Sequence, residues 1–340
     1  MNSELSANET YYRSMISATG VAMIWLLILM NAVGLFMSGV QFVLDLFAVD
    51  AVAADVIYQL TYAAGYLLMF MLPVAILKRS VNKRGYSYAP MRAEPRLSPK
   101  LPAIIFGGIL LIWTQAYLNS AMVSIFQYSA FSSEVLWEDT SSYEGYQIVL
   151  QFVVMALVPA FCEEFLFRGA ILTNLLPFGR VNAILISSLL FGLMHQNAEQ
   201  ILYAFAAGIL MGVVYERTES IWNCVFLHLV NNFLSFATGI AAEKLSADLL
   251  LSGALIESLI CIAGMGCLVI LVKVLAPQKP TFEDGVFGKS LPAADGYAAC
   301  PIAAKRSFRL FFSFPMVVFL AYAVLQTLLL IGMAVLYGMQ

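Results

Sequence analysis

The stretch Cys162-Glu163-Glu164-Phe165-Leu166-Phe167-Arg168 sets two acids and a base inside an otherwise apolar run. An ionisable side chain in hydrocarbon is costly unless paired or wetted, so such groups line a bundle interior or a water-filled cavity. At helical spacing Glu164 and Arg168 are i,i+4 neighbours on one face and can neutralise each other, while Glu163 is rotated about 100° away. One carboxylate is thereby tied down and the other is left to face a cavity, where it can hold or deprotonate a water. The plainer alternative is a structural ion pair with Glu163 reaching the membrane interface. Pro159 cannot donate a backbone hydrogen bond to Met155 and predicts a kink one turn before the acids.

The composition around this stretch is that of a membrane protein. Hydrophobic residues make up 61% of the chain and charged residues 11%, with a mean hydropathy of +0.84, outside the range of soluble globular domains. A crossing helix needs about 20 mostly apolar residues. Nine candidates are read near 15–40, 57–77, 102–125, 146–170, 181–197, 200–215, 221–242, 249–275 and 310–337, the fifth and sixth being short. The predicted fold is an all-α polytopic transmembrane bundle of eight to nine spans with its active site inside. It divides into a scaffold (1–145), a catalytic helical core (146–242), a packing helix (243–276), and a flexible polar linker with a C-terminal transmembrane helix (277–340). The first apolar run is too long for a signal-peptide core and is expected to remain as an anchor.

Basic loops are retained in the cytoplasm. The loop 78–100 holds Lys78, Arg79, Lys83, Arg84, Arg92, Arg96 and Lys100 against the single acid Glu94. The connections before it (Asp45, Asp50, Asp55) and after it (Glu134, Glu138, Asp139, Glu144) hold acids and no Lys or Arg. The amino terminus is therefore expected inside the cell, and nine spans would put the carboxyl terminus outside. The basic loop is explained by orientation, and no nucleic acid partner is expected. The five cysteines, Cys162, Cys224, Cys261, Cys267 and Cys300, form no metal-spaced set and imply no disulfide framework. Ala204, Gly208 and Gly212, four apart, predict a close helix–helix approach.

The chain's two histidines both lie in apolar segments downstream of the acid pair. His195 ends Phe191-Gly192-Leu193-Met194-His195, beyond a turn marked by Pro177 and Gly179. Glu163 lies 14 residues before Pro177 and His195 lies 16 after Gly179, path lengths of about 21 and 24 Å if helical, so an antiparallel hairpin brings them to similar depth. His228 and Asn232 are i,i+4 on a later helix, on one face. A lone membrane histidine is ordinarily a packing or hydrogen-bonding residue. Two histidines, an asparagine and two carboxylates in neighbouring helices have no evident need if only packing is served. Glu257 is a further acid in the eighth span without a basic partner nearby in sequence.

Taken in order, Glu163-Glu164-x-x-x-Arg168, Phe191-x-x-x-His195 and His228-x-x-x-Asn232 resemble the CPBP or Abi family of intramembrane proteases, which includes the type II CAAX prenyl endopeptidases. The resemblance covers roughly residues 150–240 and leaves out the flanking spans. It implies an intramembrane endopeptidase in which Glu163 and His195 activate a water, His228 and Asn232 stabilise the oxyanion, and Glu164 with Arg168 holds the geometry. It also implies a membrane-associated or prenylated peptide substrate, in CAAX-like processing or bacteriocin and peptide maturation. The family has been described both as metal-dependent and as metal-free. Glu163, His195 and His228 could make a catalytic zinc set with an open position, yet His-Glu-x-x-His is absent and Asn232 suits an oxyanion donor better than a zinc ligand. The reading leans to metal-free general-base catalysis, with a divalent metal such as zinc as the alternative.

Two other function classes fit some of these residues. A proton-coupled transporter also uses intramembrane acids and histidines, but the internal repeats such carriers show are not visible. A non-proteolytic bacteriocin-immunity or scaffold protein would keep the motifs and act by binding. The expected location is the lipid bilayer of a bacterial plasma membrane, since no endoplasmic reticulum retention signal is present. Neither the oligomeric state nor the scissile bond follows from the residues.

Overall fold

A computed structural model of the chain describes residues 6–91, 97–125, 145–244, 247–276 and 302–338. It is all-α, with no strand among the described residues. The helices are α1 (Ala7–Leu46), α2 (Ala51–Lys83), α3 (Leu101–Ile125), α4 (Gly145–Phe178), α5 (Arg180–Met194), α6 (Ala198–Thr218), α7 (Ile221–Lys244), α8 (Ala247–Leu275), α9 (Ala304–Phe311) and α10 (Phe314–Gly338).

Each of the nine apolar segments read from the sequence holds a helix, the fifth ending at Met194 and the ninth interrupted between α9 and α10, and α9 is the one addition among the described residues. Among the described residues α1, α2, α4 and α6 are long and apolar enough to cross a membrane, or five spans if α9 and α10, bent by 75° at their junction, count as one. α5 is short at 15 residues, about 23 Å. The protein is therefore an integral membrane protein. The connections 126–144 and 277–301 and the loop residues Arg92, Glu94 and Arg96 lie outside the described residues, as does Cys300. Cys162, Cys224, Cys261 and Cys267 carry free thiols.

Local signals set the helix ends. Ser6 caps α1 in a reciprocal box with Glu9, and Asp50 caps α2 through Ala53 N at 3.2 Å, each satisfying amides that a helix start leaves open. Gly179 makes the α4–α5 turn at φ 139°, a conformation open to glycine and strained for other residues.

Pro159 does not break α4. The helix widens ahead of it into a π-turn over Val153–Leu157, returns to α geometry over Val158–Glu164, and widens again over Phe165–Leu172. Such turns displace the i→i−4 ladder and often sit at functional sites. The loosened carbonyls find partners: Ser187 Oγ donates to Phe167 O at 2.9 Å, and Thr173 Oγ1 to Arg168 O at 2.8 Å.

The core pairs are α1 with α2, α1 with α10, α3 with α8, α5 with α6, and α4 with α2, α5 and α7. The small residues do allow close approach between α5 and α6: a Cβ on Gly208 would stand 3.0 Å from Ser188 Cα, and one on Gly192 would stand 2.7 Å from Ile201 O. The stem of the basic loop is tied inward, with Asn174 of α4 bonded both ways to Ala89 at 2.8 and 3.2 Å, and Ser98 N donating to Asn223 at 2.9 Å. The C-terminal pair grips α1 through Arg306 with Glu9, Ser307 with Tyr12 at 2.6 Å, and Asn31 with Tyr322 at 2.9 Å.

Candidate active site

The single α-helical segment between the two wide turns of α4 carries the acid pair. Glu163 and Glu164 are 4% and 0% exposed, and Arg168 is 1% exposed. Arg168 Nη1 donates to Glu164 Oε1 at 2.8 Å, the i,i+4 pair expected from spacing. Its Nη2 donates to the carbonyl of Gly208 on α6 at 3.3 Å, and the guanidinium lies over the Phe191 ring, 4.6 Å from its centroid. A buried guanidinium thus finds a carboxylate, a main-chain oxygen and an aromatic face, the three partners its planar fork suits.

His228, 7% exposed, comes from α7 to meet both acids. Its Nδ1 stands 3.0 Å from Glu164 Oε1 and its Nε2 stands 3.9 Å from Glu163 Oε2. A carboxylate only accepts, so Nδ1 carries a proton in that contact. Glu164 Oε1 therefore receives two donors, and its Oε2 is buried without a hydrogen-bond partner.

Glu163 is held differently. Tyr66 Oη on α2 donates to its Oε1 at 2.5 Å, and its Oε2 is buried with no hydrogen-bond partner. The carboxylate is thus fixed through one oxygen and free at the other. Sequence reasoning missed Tyr66, which sits 97 positions away in a segment without motifs; tyrosine in an apolar helix carries no signal of its own.

His195 falls one residue past the end of α5, followed by Gln196 in the left-handed region at φ 54°. The predicted helix to 197 stops short, which places this ring at a helix terminus. Its Nδ1 lies 2.9 Å from the Phe191 carbonyl. That oxygen only accepts, so in the neutral ring Nε2 keeps the lone pair. Phe191 joins the two histidines edge to face, with centroids 5.2 Å from His195 and 6.0 Å from His228.

Asn232 is half-buried on α7. Its Oδ1 accepts from Asn231 Nδ2 at 3.3 Å, and Asn231 is itself bonded in both directions to Tyr203 Oη at 2.9 and 3.2 Å. With its oxygen engaged, the Asn232 amide presents its NH2 as the remaining donor. Asn231 was not singled out in the sequence, although its adjacency to Asn232 could have raised it.

Among the described residues no group of three or more His, Cys, Asp or Glu is arranged to hold a metal ion. Glu163 and His228 offer at most two donors toward one another, one fewer than the three protein ligands a catalytic zinc takes. Glu257 lies on α8, and its side chain is outside the described residues.

Residues 145–234, which carry the Glu163, His195 and His228 motifs on α4 to α7, match the Rce1-like family of type II CAAX prenyl endopeptidases. In addition, 88 residues are 34% identical to "Putative membrane peptidase YdiL" of Bacillus subtilis (strain 168), over 25% of this chain and 35% of that protein. The chain thus matches about a third of that relative's length. No solved structure matches the chain.

Proposed function

We propose that the protein is an intramembrane endopeptidase that hydrolyses a peptide bond in a membrane-associated or prenylated peptide. The observation that carries this reading is the Glu163 carboxylate, buried, held through one oxygen and unpartnered at the other, within the segment that matches Rce1-like endopeptidases.

In this reading a water bound at Glu163 Oε2 gives its proton to that oxygen as its own oxygen bonds to the substrate carbonyl carbon. His195, with a lone pair on Nε2, orients or assists the same water. The carbonyl oxygen becomes an oxyanion, met by the NH2 of Asn232 and by His228, which donates from Nε2 only as the doubly protonated ring, its Nδ1 proton being given to Glu164. The carbon–nitrogen bond then breaks, and the proton on Glu163 passes to the leaving amine. Glu164 and Arg168 touch no reacting atom and hold His228 in place. No step is routed through a metal. The substrate arrives from the lipid bilayer, and the host membrane we assign is a bacterial plasma membrane.

The test is cleavage of fluorescence-quenched CAAX peptides, prenylated and unprenylated, by purified protein in detergent and in vesicles. Cleavage lost in Glu163→Gln with the fold retained supports the reading. Cleavage that persists in that variant overturns it, and retained bacteriocin immunity in both Glu163→Gln and His228→Ala cells would favour a binding role.

A further inference from the structure

We infer that Tyr66 is a positioning residue that selects Oε2 of Glu163 as the atom that exchanges protons with the water. The inference rests on the endopeptidase reading above and adds a helix to it, since α2 lies outside residues 145–234.

The terminal torsion of a glutamate is broad and roughly two-fold, so either carboxylate oxygen can face a substrate unless something breaks the symmetry. Tyr66 Oη breaks it by donating to Oε1 at 2.5 Å. Oε2 is left on the side of His228, 3.9 Å from Nε2. The phenol is itself held: its ring stacks on Phe70 at 4.8 Å and 23°, with Tyr62 one turn away at 6.0 Å. A rigid ring on a helix that packs against α4 gives the hydroxyl a fixed direction, the requirement for a group that orients another.

The proton inventory is consistent with this role. Oε1 already accepts the phenolic hydrogen, so the proton leaving water goes to Oε2 and returns from Oε2 to the amine. Tyr66 keeps its own proton throughout and turns over nothing. None of Glu164, Arg168 and His228 makes its hydrogen bond to Oε1, so none of these three side chains supplies the same constraint.

Two measurements test it. The first needs no substrate: infrared difference spectra of protein carrying carbon-13 glutamate, in which the carboxylate band removed by Glu163→Gln is identified and then followed in Tyr66→Phe. A band shifted toward that of a less hydrogen-bonded carboxylate is expected, and an unshifted band overturns the inference whatever the activity. The second is cleavage of a prenylated CAAX peptide, where Tyr66→Phe should lower kcat roughly 10- to 100-fold, the span of one hydrogen bond to a charged group, while KM holds. Tyr62→Phe, which keeps the ring and loses a hydroxyl one turn away, should match wild type. Unchanged kcat in Tyr66→Phe, or an equal loss in Tyr62→Phe, would sink the role of Tyr66; activity in Glu163→Gln would instead sink the reading beneath it.

Discussion

His228 Nδ1 and Glu164 Oε1 meet at 3.0 Å across 64 residues of sequence, on the oxygen that also receives Arg168. The two acids of the pair thus have separate partners, and the one tied to Arg168 is also the one bonded to the histidine.

Removing that carboxylate should damage folding before chemistry. Glu164→Ala leaves Arg168 buried without its charge partner, a change that typically costs about 3–5 kcal/mol. Chemical denaturation in detergent should show the loss, and replacing Arg168 by Met in the same chain should recover part of it.

Glu163→Gln should behave in the opposite way. The amide keeps the shape and can still accept from Tyr66, so stability should change little, while cleavage should fall about 10²- to 10⁴-fold, the range of a lost general base. Comparing denaturation midpoints with kcat on one preparation separates the two acids.

Asn232→Ala removes the NH2 donor that its engaged Oδ1 leaves over. If it meets the oxyanion, kcat should fall about 10²- to 10³-fold with a small change in KM. Asn231→Ala should give a milder loss of the same kind, because it only steers the neighbouring amide; an effect confined to KM in both would reassign the pair to substrate binding.

Chelation gives a further check. Cleavage should survive prolonged treatment with a strong zinc chelator, since the described acids and histidines do not converge on an ion. Loss on chelation with recovery on added zinc would show that Glu163 and His228 gain a third ligand during turnover.

Gly192→Ala should destabilise the α5–α6 contact by about 1–3 kcal/mol, the usual cost of overpacking, because the new Cβ would stand 2.7 Å from the Ile201 carbonyl. Gly266→Ala on α8, where nothing lies within 4 Å, is the neutral comparison in a thermal-shift assay.

What could be read from the residues, and what could not, follows from the range of each signal. Glu164 with Arg168 is a one-turn relation and helical period delivers it. The close α5–α6 approach follows from small residues four apart. His228 was paired with Asn232 on the same grounds, yet its nearest polar partner is Glu164 on another helix, which no local period encodes. Tyr66 is invisible for the same reason, and so is the grip of α9 and α10 on α1 through Arg306 and Glu9. The nine apolar runs were legible as helices because hydrocarbon demands them, but run length blurred their ends: α4 continues to Phe178, while α5 stops before His195. Pro159 predicts a kink, and the backbone ahead of it runs through a wide turn over Val153–Leu157, one of the devices at which helices bend.

Those wide turns give the acid pair a register of its own. Each one lets the chain slip forward by about one residue relative to a regular helix, and one residue is about 100° of rotation. A deletion of one residue in Val153–Leu157 would therefore let that turn close to regular α geometry, and one between Glu164 and Arg168 would break the i,i+4 spacing of their ion pair. The slack of the two wide turns thus lets Glu163 face Tyr66 and His228 while the rest of α4 keeps the face that its own neighbours need.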